Sequence, residues 1–214
     1  MFKNLTMLVL LIGVMMNVDA ATISEDISTK NEGEAQRATQ RDYSEEDVSV
    51  FDKIVQCLEE GHAEFRVVEH EAENRSNNIV EILTQKLGEE VRLSQGAKAM
   101  ITLSTLHNNQ IDNSYNLVVL PGNETLDLKK LASILGVKKV KLAPIEKVEE
   151  MTTCIVGTVP PFPFFSSIDL MVDQSLIERN SEIFFTPGRS DRSIFLKVED
   201  YIRIVSPRLV NVIK

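Results

Sequence analysis

The chain has 214 residues, of which 43% are hydrophobic and 26% are charged, and its formal net charge is −9. This length is sufficient for one compact domain of about 150 residues with additional segments. The absence of tryptophan and the aromatic content of 6% exclude a stacking platform for single-stranded nucleic acid, because such a platform needs exposed rings. The acidic balance argues against tight, extended, non-specific binding to a phosphate backbone, but it does not exclude a local phosphate contact, which depends on local cationic density.

The N-terminal part of the chain is predicted to lie outside the folded domain. Residues 1–20 combine Lys3, an apolar run over 5–16 and small residues before Ala21. This pattern is typical of a secretory signal peptide, and an uncleaved anchor or a buried helix is the alternative. Residues 21–47 are polar and acidic, so they cannot bury enough apolar surface to fold and are predicted to form a disordered spacer. The folded domain is therefore expected over 48–210.

Hydrophobic periodicity and the positions of glycine, proline and capping residues predict the elements of this domain. In chain order they are a helix over 48–58, a strand over 65–70, a helix over 76–87, and a hairpin of strands over 97–106 and 115–120. Then follow a helix over 127–135, a strand over 137–142, a short helix over 145–150, strands over 168–172, 182–186 and 193–198, and a helix over 199–205. Strands and helices alternate without a steady βαβ spacing. This order predicts an α+β fold with a single mixed, curved, barrel-like β-sheet and flanking helices.

The cysteines and histidines match no metal-binding pattern. Cys57 and Cys154 are far apart in the sequence and have no metal-ligand spacing. We predict two free thiols, and one disulfide in an oxidising compartment is the alternative. His62, His70 and His107 show no ligand spacing either. We therefore predict neither a metal nor a cofactor.

Lys98 interrupts a run of small and apolar residues over 96–101. A lysine is costly to bury unless its ammonium group reaches a partner or an anionic ligand. This position therefore predicts a functional cation on a strand. An edge-strand lysine that points into water is the alternative.

The loop over 156–163 is rich in glycine and proline. Gly157 permits an unusual backbone angle, and the prolines stiffen the turn. The backbone N–H groups of Thr158 and Val159 are therefore predicted to face a ligand and to bind a carbonyl or ester oxygen. A rigid connector is the alternative.

The turn over 186–190 lies between two predicted strands and carries Arg189, with Arg192 close to it. An arginine at the tip of such a turn can bind a phosphate. A solvated hairpin turn is the alternative.

Five regions of the sequence, one of which combines three strings, occur in the order in which a known family has them. They begin at 95 (QGAKAMI), at 117 (LVVLPG, followed by LDLKKLA and LGVKKV), at 157 (GTVPP), at 171 (MVDQSL) and at 188 (GR). Each string alone is weakly specific, but all five in this order are fairly specific. Over about 65–207 the chain resembles the editing domains of the YbaK and prolyl-tRNA synthetase insertion-domain family.

The resemblance implies a reaction. That family hydrolyses the ester of mischarged aminoacyl-tRNA, so the chain is expected to be a trans-acting aminoacyl-tRNA deacylase. Lys98 matches the family's functional lysine and is expected to position the terminal adenosine or its phosphate. Gly157 begins the family's GxxxP loop, whose backbone is expected to face the aminoacyl carbonyl. Water is the expected nucleophile, assisted by the ribose hydroxyl of the substrate.

The resemblance also implies residues and partners. Lys98 and Gly157 are the predicted catalytic residues. The predicted substrate-binding residues are Thr158, Val159, Pro160, Pro161, His70, Gly188 and Arg189. The expected partner is the 3′ end and acceptor stem of an aminoacyl-tRNA, and an aminoacyl-tRNA synthetase is a further candidate. The lysine pairs at 129–130 and 138–139 indicate either a solvated face or a contact with that stem. The loop departs from the small residues common in the family, which would reshape or narrow the pocket, so the identity of the edited amino acid does not carry over. The deacylase hypothesis predicts release of a small amino acid such as alanine, proline or cysteine.

A second function stays open at this point. An exported binding module can keep the fold and its pocket while binding a nucleotide or a protein partner. The two functions differ in whether Lys98 and the Gly157 loop face one open cleft, and in whether Phe162 fills that cleft. The compartment is open too, because the leader predicts export whereas charged tRNA is cytosolic or organellar.

Overall fold

The computed structural model describes residues 48–73, 76–106, 114–165 and 168–214. The predicted signal peptide and spacer lie outside these ranges, and so does His107. No helix within the described ranges is long and apolar enough to cross a membrane. The organisation of the chain before residue 48 stays a prediction.

Six helices and eight strands form within the described residues. The helices are α1 (Val50–Glu60), α2 (Ser76–Leu87), α3 (Leu128–Leu135), α4 (Ile145–Thr152), α5 (Gln174–Glu178) and α6 (Val198–Val205). The strands are β1 (Phe65–Glu69), β2 (Ala97–Thr105), β3 (Tyr115–Pro121), β4 (Lys139–Leu142), β5 (Ile168–Asp173), β6 (Glu182–Phe185), β7 (Arg192–Lys197) and β8 (Arg208–Val210). A single 3-10 turn, Leu93–Gln95, precedes β2.

The strands form two sheets that one isolated bridge connects. The smaller sheet has the order β1-β7-β6 and is antiparallel throughout. The larger has the order β4-β2-β3-β5-β8, with antiparallel pairs on both sides of β2 and parallel pairs on both sides of β5. An isolated bridge between Gly96 and Phe184 connects the start of β2 to β6. A side chain at Gly96 would place its Cβ 3.1 Å from the Phe184 ring, so glycine permits this close approach.

Both faces of the larger sheet are buried, which explains the continuous apolar run in β3. Leu117 and Val119 belong to a core cluster shared with the smaller sheet and with α1 and α6. Val118 and Leu120 belong to a second cluster, which packs against α3. Because successive side chains of a strand point to opposite faces, a strand between two cores is apolar at every position.

Local capping explains where the helices begin and end. Ser49 caps α1 by accepting the N–H of Asp52, and α1 stops at Gly61. Asp127 caps α3 by accepting the N–H groups of the next two lysines, and Gly136 ends it with a φ of 67°. A positive φ of this kind favours glycine at a helix C-terminus.

Asp173, at the end of β5, fixes the C-terminal segment. Its carboxylate is 1% exposed and accepts hydrogen bonds from the N–H groups of Ser175 (2.9 Å) and Val212 (2.7 Å). The first bond caps α5, and the second holds the residues after β8. Val212 is fully buried, so the folded part of the chain extends beyond residue 210.

The predicted α+β class, with a mixed sheet and flanking helices, is confirmed. The predicted β2–β3 hairpin pairs as expected, with Lys98 opposite Leu120. The expected single sheet is instead divided in two, and it does not close into a barrel within the described residues. Cys57 and Cys154 are free thiols.

Candidate active site

A cavity of about 190 Å³ lies where the two sheets meet. It sits beside the Gly96–Phe184 bridge, between the start of β2 and the end of β6. Its lining consists of Ile79, Leu93, Gly96, Ala97, Lys98, Ala99, Gly122, Gly157, Val159, Phe184, Phe185 and Thr186. Among the lining residues only Lys98 and Thr186 have polar side chains. The cavity therefore offers an apolar enclosure with one cation and one hydroxyl group.

Lys98 is half-buried and held by backbone carbonyls. Its ammonium donates hydrogen bonds to the carbonyl of Gly122 (3.2 Å) and to that of Glu124. Burial lowers the pKa of Lys98, and the nearby Glu124 carboxylate partly offsets this effect. An ammonium group has three N–H donors, so one donor remains after these two contacts. The structure thus fixes this cation at the cavity, and no carboxylate of the described residues pairs with it directly.

Gly157 occupies the third position of a tight turn over 155–158. Its φ of 97° is in the region that a type II turn requires at this position, which is why glycine occurs there. The N–H of Thr158 closes the turn by donating to the carbonyl of Ile155 (2.9 Å). The Thr158 N–H is therefore engaged within the turn, contrary to the expectation that it faces a ligand.

Val159 is the second of the two predicted backbone donors. It is 8% exposed and lines the cavity. Within the described residues no hydrogen-bond acceptor takes its N–H. Because Val159 belongs to the lining, this N–H is a candidate donor to an oxygen atom of a ligand.

Three hydrogen bonds, two from the turn after β6 and one from α6, hold the Gly157 loop in place. The hydroxyl of Thr186 donates to the carbonyl of Gly157 (3.1 Å). The N–H of Gly188 donates to the carbonyl of Thr158 (2.8 Å). The hydroxyl of Tyr201 donates to the carbonyl of Pro161 (2.8 Å). Burial raises the pKa of Tyr201, so this hydroxyl stays protonated and remains a donor.

The remaining predicted site residues lie outside the cavity lining. Pro160 and Pro161 are buried residues of the loop itself. His70 is 8% exposed, and its ring nitrogens contact the carbonyl of Glu71 (2.8 Å) and the hydroxyl of Ser193 (3.0 Å). These contacts give His70 a structural role at the end of β1.

Gly188 and Arg189 are also separate from the cavity lining. Gly188 has a φ of 79°, and a Cβ there would lie 3.0 Å from the Val50 side chain. Arg189 forms a bidentate pair with Asp191, at 2.9 and 2.7 Å, on the surface. This guanidinium holds the pKa of the Asp191 carboxyl well below its usual range. Gly188 therefore positions the loop, and the Arg189 charge is already paired.

The sequence matches one protein family over most of the folded region. The model of the aminoacyl-tRNA editing domain matches residues 79–204. A protein of Escherichia coli strain K12, the multifunctional Ser/Thr-tRNA deacylase ProXp-y, is 38% identical over 159 residues, which are 74% of this chain and 90% of that protein. The chain belongs to the aminoacyl-tRNA editing domain family. Hydrolysis of the ester bond of mischarged aminoacyl-tRNA is therefore the reaction of this domain, and the chain is a hydrolase.

Solved structures share the fold of this editing domain. A crystal structure of a hypothetical protein superimposes with a TM-score of 0.64 at 21% identity, covering 76% of this chain and 99% of that one. A candidate trans-editing enzyme for prolyl tRNA synthetase gives a TM-score of 0.60 at 18% identity, covering 80% and 99%. At these identities the comparison concerns the fold alone.

Phe162 does not block the pocket of the editing domain. It is fully buried in the core, where its ring stacks on Phe164 and packs against Phe185 and Tyr201. The cavity lining does not include it. The sequence left a deacylase and a binding module open, and the position of Phe162 favours the deacylase, which requires an open cleft.

Thr186 is the site residue that sequence reasoning missed. It was assigned to the end of a strand, and no local pattern distinguishes it from an ordinary strand threonine. Its hydroxyl meets Gly157, which lies 29 positions earlier in the chain. One sequence feature marks Thr186 as a candidate: it lies directly before the Pro187-Gly188 turn. A polar side chain where a strand passes into a loop is often functional.

Proposed function

We propose that this editing domain removes serine or threonine from mischarged tRNA in trans, and that the reaction takes place in the cavity between Lys98 and the Gly157 loop. The observation that carries the proposal is that both of these elements line one cavity. The name of the E. coli relative, a Ser/Thr-tRNA deacylase, supports the choice of amino acids, since this chain covers 90% of that protein.

Lys98 is proposed to bind the terminal nucleotide. Its two carbonyl contacts fix the direction of the ammonium group. The Glu124 carboxylate is instead paired with Arg179, at 2.8 Å. The positive charge of Lys98 is therefore available to an anionic phosphate, and a charge-assisted bond of this type is stronger than a neutral one.

The Val159 N–H is proposed to stabilise the oxyanion that forms during ester hydrolysis. Donors that are fixed before the reaction contribute about 2.7 to 4 kcal/mol each, because they need not reorganise as charge develops. The lining of the cavity contains no His, Asp, Glu or Cys side chain, so a side-chain base does not enter the proposal. Water, assisted by the ribose hydroxyl of the substrate, attacks the ester that the site holds in place.

Thr186 is proposed to select a substrate with a hydroxyl group. Its hydroxyl donates to Gly157 and still has acceptor capacity, because a hydroxyl carries one donor and two lone pairs. A serine or threonine side chain can donate to that oxygen. The volume of about 190 Å³ lies below the range of roughly 300–1,000 Å³ of drug-sized pockets, which suits a small aminoacyl group.

Deacylation of charged tRNA by the purified full chain tests the proposal. We expect release of serine from Ser-tRNA, and for Lys98→Met a fall in kcat/KM of about 10- to 150-fold, because one charge-assisted bond of about 1.5–3 kcal/mol is lost. Lys53→Met is the matched control, since Lys53 is an exposed lysine on α1. Hydrolysis by a folded Lys98→Met protein at the wild-type rate would refute the assigned role.

The compartment and a synthetase partner are proposals as well. The leader supports export, and the family supports action beside a synthetase that mischarges tRNA. Mass spectrometry of the mature N-terminus tests the first: a terminus at Ala21 supports export, whereas one at Met1 contradicts it.

A further inference from the structure

We propose that Arg179 is a positioning residue of the active site: it holds the Glu124 carboxylate away from Lys98 and so keeps the lysine charge available to the substrate. This inference rests on the proposed function, because it assumes that the Lys98 ammonium binds an anionic part of the tRNA 3′ end. Arg179 itself lies outside the cavity lining. We therefore assign it an action through Lys98 and not a contact with the substrate.

The Lys98 ammonium lies directly beside Glu124. It donates a hydrogen bond to the main-chain carbonyl of Glu124, in the turn that the Glu124 N–H closes by donating to the carbonyl of Pro121 (3.0 Å). Burial lowers the pKa of Lys98, and the charge of the Glu124 carboxylate raises it, so this carboxylate is within electrostatic range of the ammonium. Because a glutamate side chain has several rotatable bonds, its carboxylate is able to turn towards Lys98.

Arg179 is the partner that holds this carboxylate. Its Nη1 atom donates to the carboxylate of Glu124 at 2.8 Å. Since the Arg179 side chain is 53% exposed and that of Glu124 is 23% exposed, the pair lies at the edge of the surface. A guanidinium group matches the geometry of a carboxylate better than an ammonium group does. The arginine therefore keeps the Glu124 carboxylate, although Lys98 is also within its reach.

The fold fixes the position of Arg179 without the help of Glu124. Arg179 is the C-terminal cap of helix α5, and Asp173 caps the start of the same helix. The next residue, Asn180, is 9% exposed, and its side-chain amide donates to the carbonyl of Ser94 (3.1 Å), shortly before β2 begins. Helix α5 is thereby attached to the segment that leads into the strand of Lys98. The guanidinium group is therefore held beside the site.

Loss of the guanidinium group would make the Glu124 carboxylate an internal competitor for Lys98. A phosphate then binds with an apparent affinity that is reduced by the fraction of molecules in which the lysine is unpaired. Ion pairs near the surface are weak, so the expected reduction is about 2- to 6-fold. This reduction is smaller than the one expected for Lys98→Met, which removes the charge altogether.

Two other roles of the Arg179–Glu124 pair lead to different results. If the pair only fastens the turn over 121–124 to α5, loss of either partner has the same effect, and loss of both adds nothing. If Arg179 instead contacts the phosphate directly, its loss has the same effect whichever residue stands at position 124. Only a competing carboxylate predicts that Glu124→Gln restores the function of an Arg179→Met protein.

The experiment compares the full chain with Arg179→Met, with Glu124→Gln and with the double variant. Calorimetry gives the dissociation constant of a non-hydrolysable seryl-adenosine amide with a 5′-phosphate, and a deacylation assay gives kcat/KM for Ser-tRNA. Thermal unfolding shows whether each variant is folded. The matched control is Arg66→Met, because Arg66 is also a half-exposed arginine, pairs with Glu89 (3.0 Å) and Glu182 (2.8 Å), and lies outside the cavity lining.

We expect Arg179→Met to bind the analogue and to hydrolyse Ser-tRNA about 2- to 6-fold less well. Glu124→Gln, the double variant and Arg66→Met are expected to match the wild type. An unchanged Arg179→Met protein, an equal loss in all three variants of the pair, or a double variant as weak as Arg179→Met would overturn the proposal. A wild-type chain that fails to hydrolyse Ser-tRNA refutes the proposed function, whereas an active wild type without rescue by Glu124→Gln refutes only the role of Arg179.

Discussion

Replacement of Thr186 by valine removes the one hydroxyl side chain in the cavity lining. Valine has nearly the same shape and suits a strand end, so β6 and the neighbouring Phe185 keep their packing. The substitution deletes the bond from the Thr186 hydroxyl to the carbonyl of Gly157, at 3.1 Å. It also deletes the acceptor that we assign to the substrate hydroxyl.

The two losses have different consequences for different substrates. Loss of the Gly157 contact affects every aminoacyl-tRNA, because it loosens the loop that carries Val159. Loss of the acceptor affects only substrates with a hydroxyl side chain, and one neutral hydrogen bond of about 0.5–1.5 kcal/mol corresponds to a factor of about 2 to 12. The ratio of kcat/KM for Ser-tRNA to that for Ala-tRNA isolates the second effect.

The assay measures both rates for the wild type, for Thr186→Val and for Thr186→Ser. We expect the ratio to fall about 2- to 12-fold in Thr186→Val and to stay near the wild-type value in Thr186→Ser, which retains the hydroxyl. A Thr186→Val protein that is folded and keeps the wild-type ratio would show that Thr186 does not select the substrate.

Three further predictions concern stability and pH. Asp173→Ala removes the cap of α5 and the acceptor of the buried Val212 N–H, so a loss of about 2–4 kcal/mol is expected from urea unfolding; a loss below 1 kcal/mol contradicts it. Gly122→Ala places a Cβ 2.6 Å from the carbonyl of Leu93, and a loss of about 1–3 kcal/mol from the forced shift is expected in thermal unfolding; an unchanged melting temperature refutes this. The pKa of Lys98 is lowered by burial and its protonated form is the active one, so kcat/KM, corrected for hydroxide hydrolysis, falls as pH rises through a value below 10.5; a rate that stays level up to that pH opposes the assignment.

Capping residues and apolar runs predicted most of the helices and strands, because each of these signals involves residues only a few positions apart in the sequence. Asp127 and Gly136 mark both ends of α3 in the sequence, and the structure uses both as caps. The apolar run in β3 predicted a strand, and its burial on both faces follows from the two core clusters. Helix α5 was missed because it has five residues, too few for a helical period to be recognised.

Non-local contacts explain what the sequence did not disclose. The division into two sheets depends on which distant strands pair, and the bridge between Gly96 and Phe184 leaves no local pattern. The hydrogen bond of the Thr158 N–H within its turn could be predicted from the sequence. A glycine at the third position of a turn indicates that the N–H of the next residue closes that turn. Thr186 gained its role only through the fold, which brings it to Gly157.

Lys98 and the Gly157 loop are proposed to bind the aminoacyl-adenosine end of one tRNA. A crystal structure of the full chain with a non-hydrolysable seryl-adenosine amide that carries a 5′-phosphate tests this proposal directly. We expect the seryl carbonyl oxygen within hydrogen-bond distance of the Val159 N–H and the 5′-phosphate at the Lys98 ammonium. An analogue bound away from this cavity, or bound in it with the carbonyl directed away from Val159, would refute the proposed site.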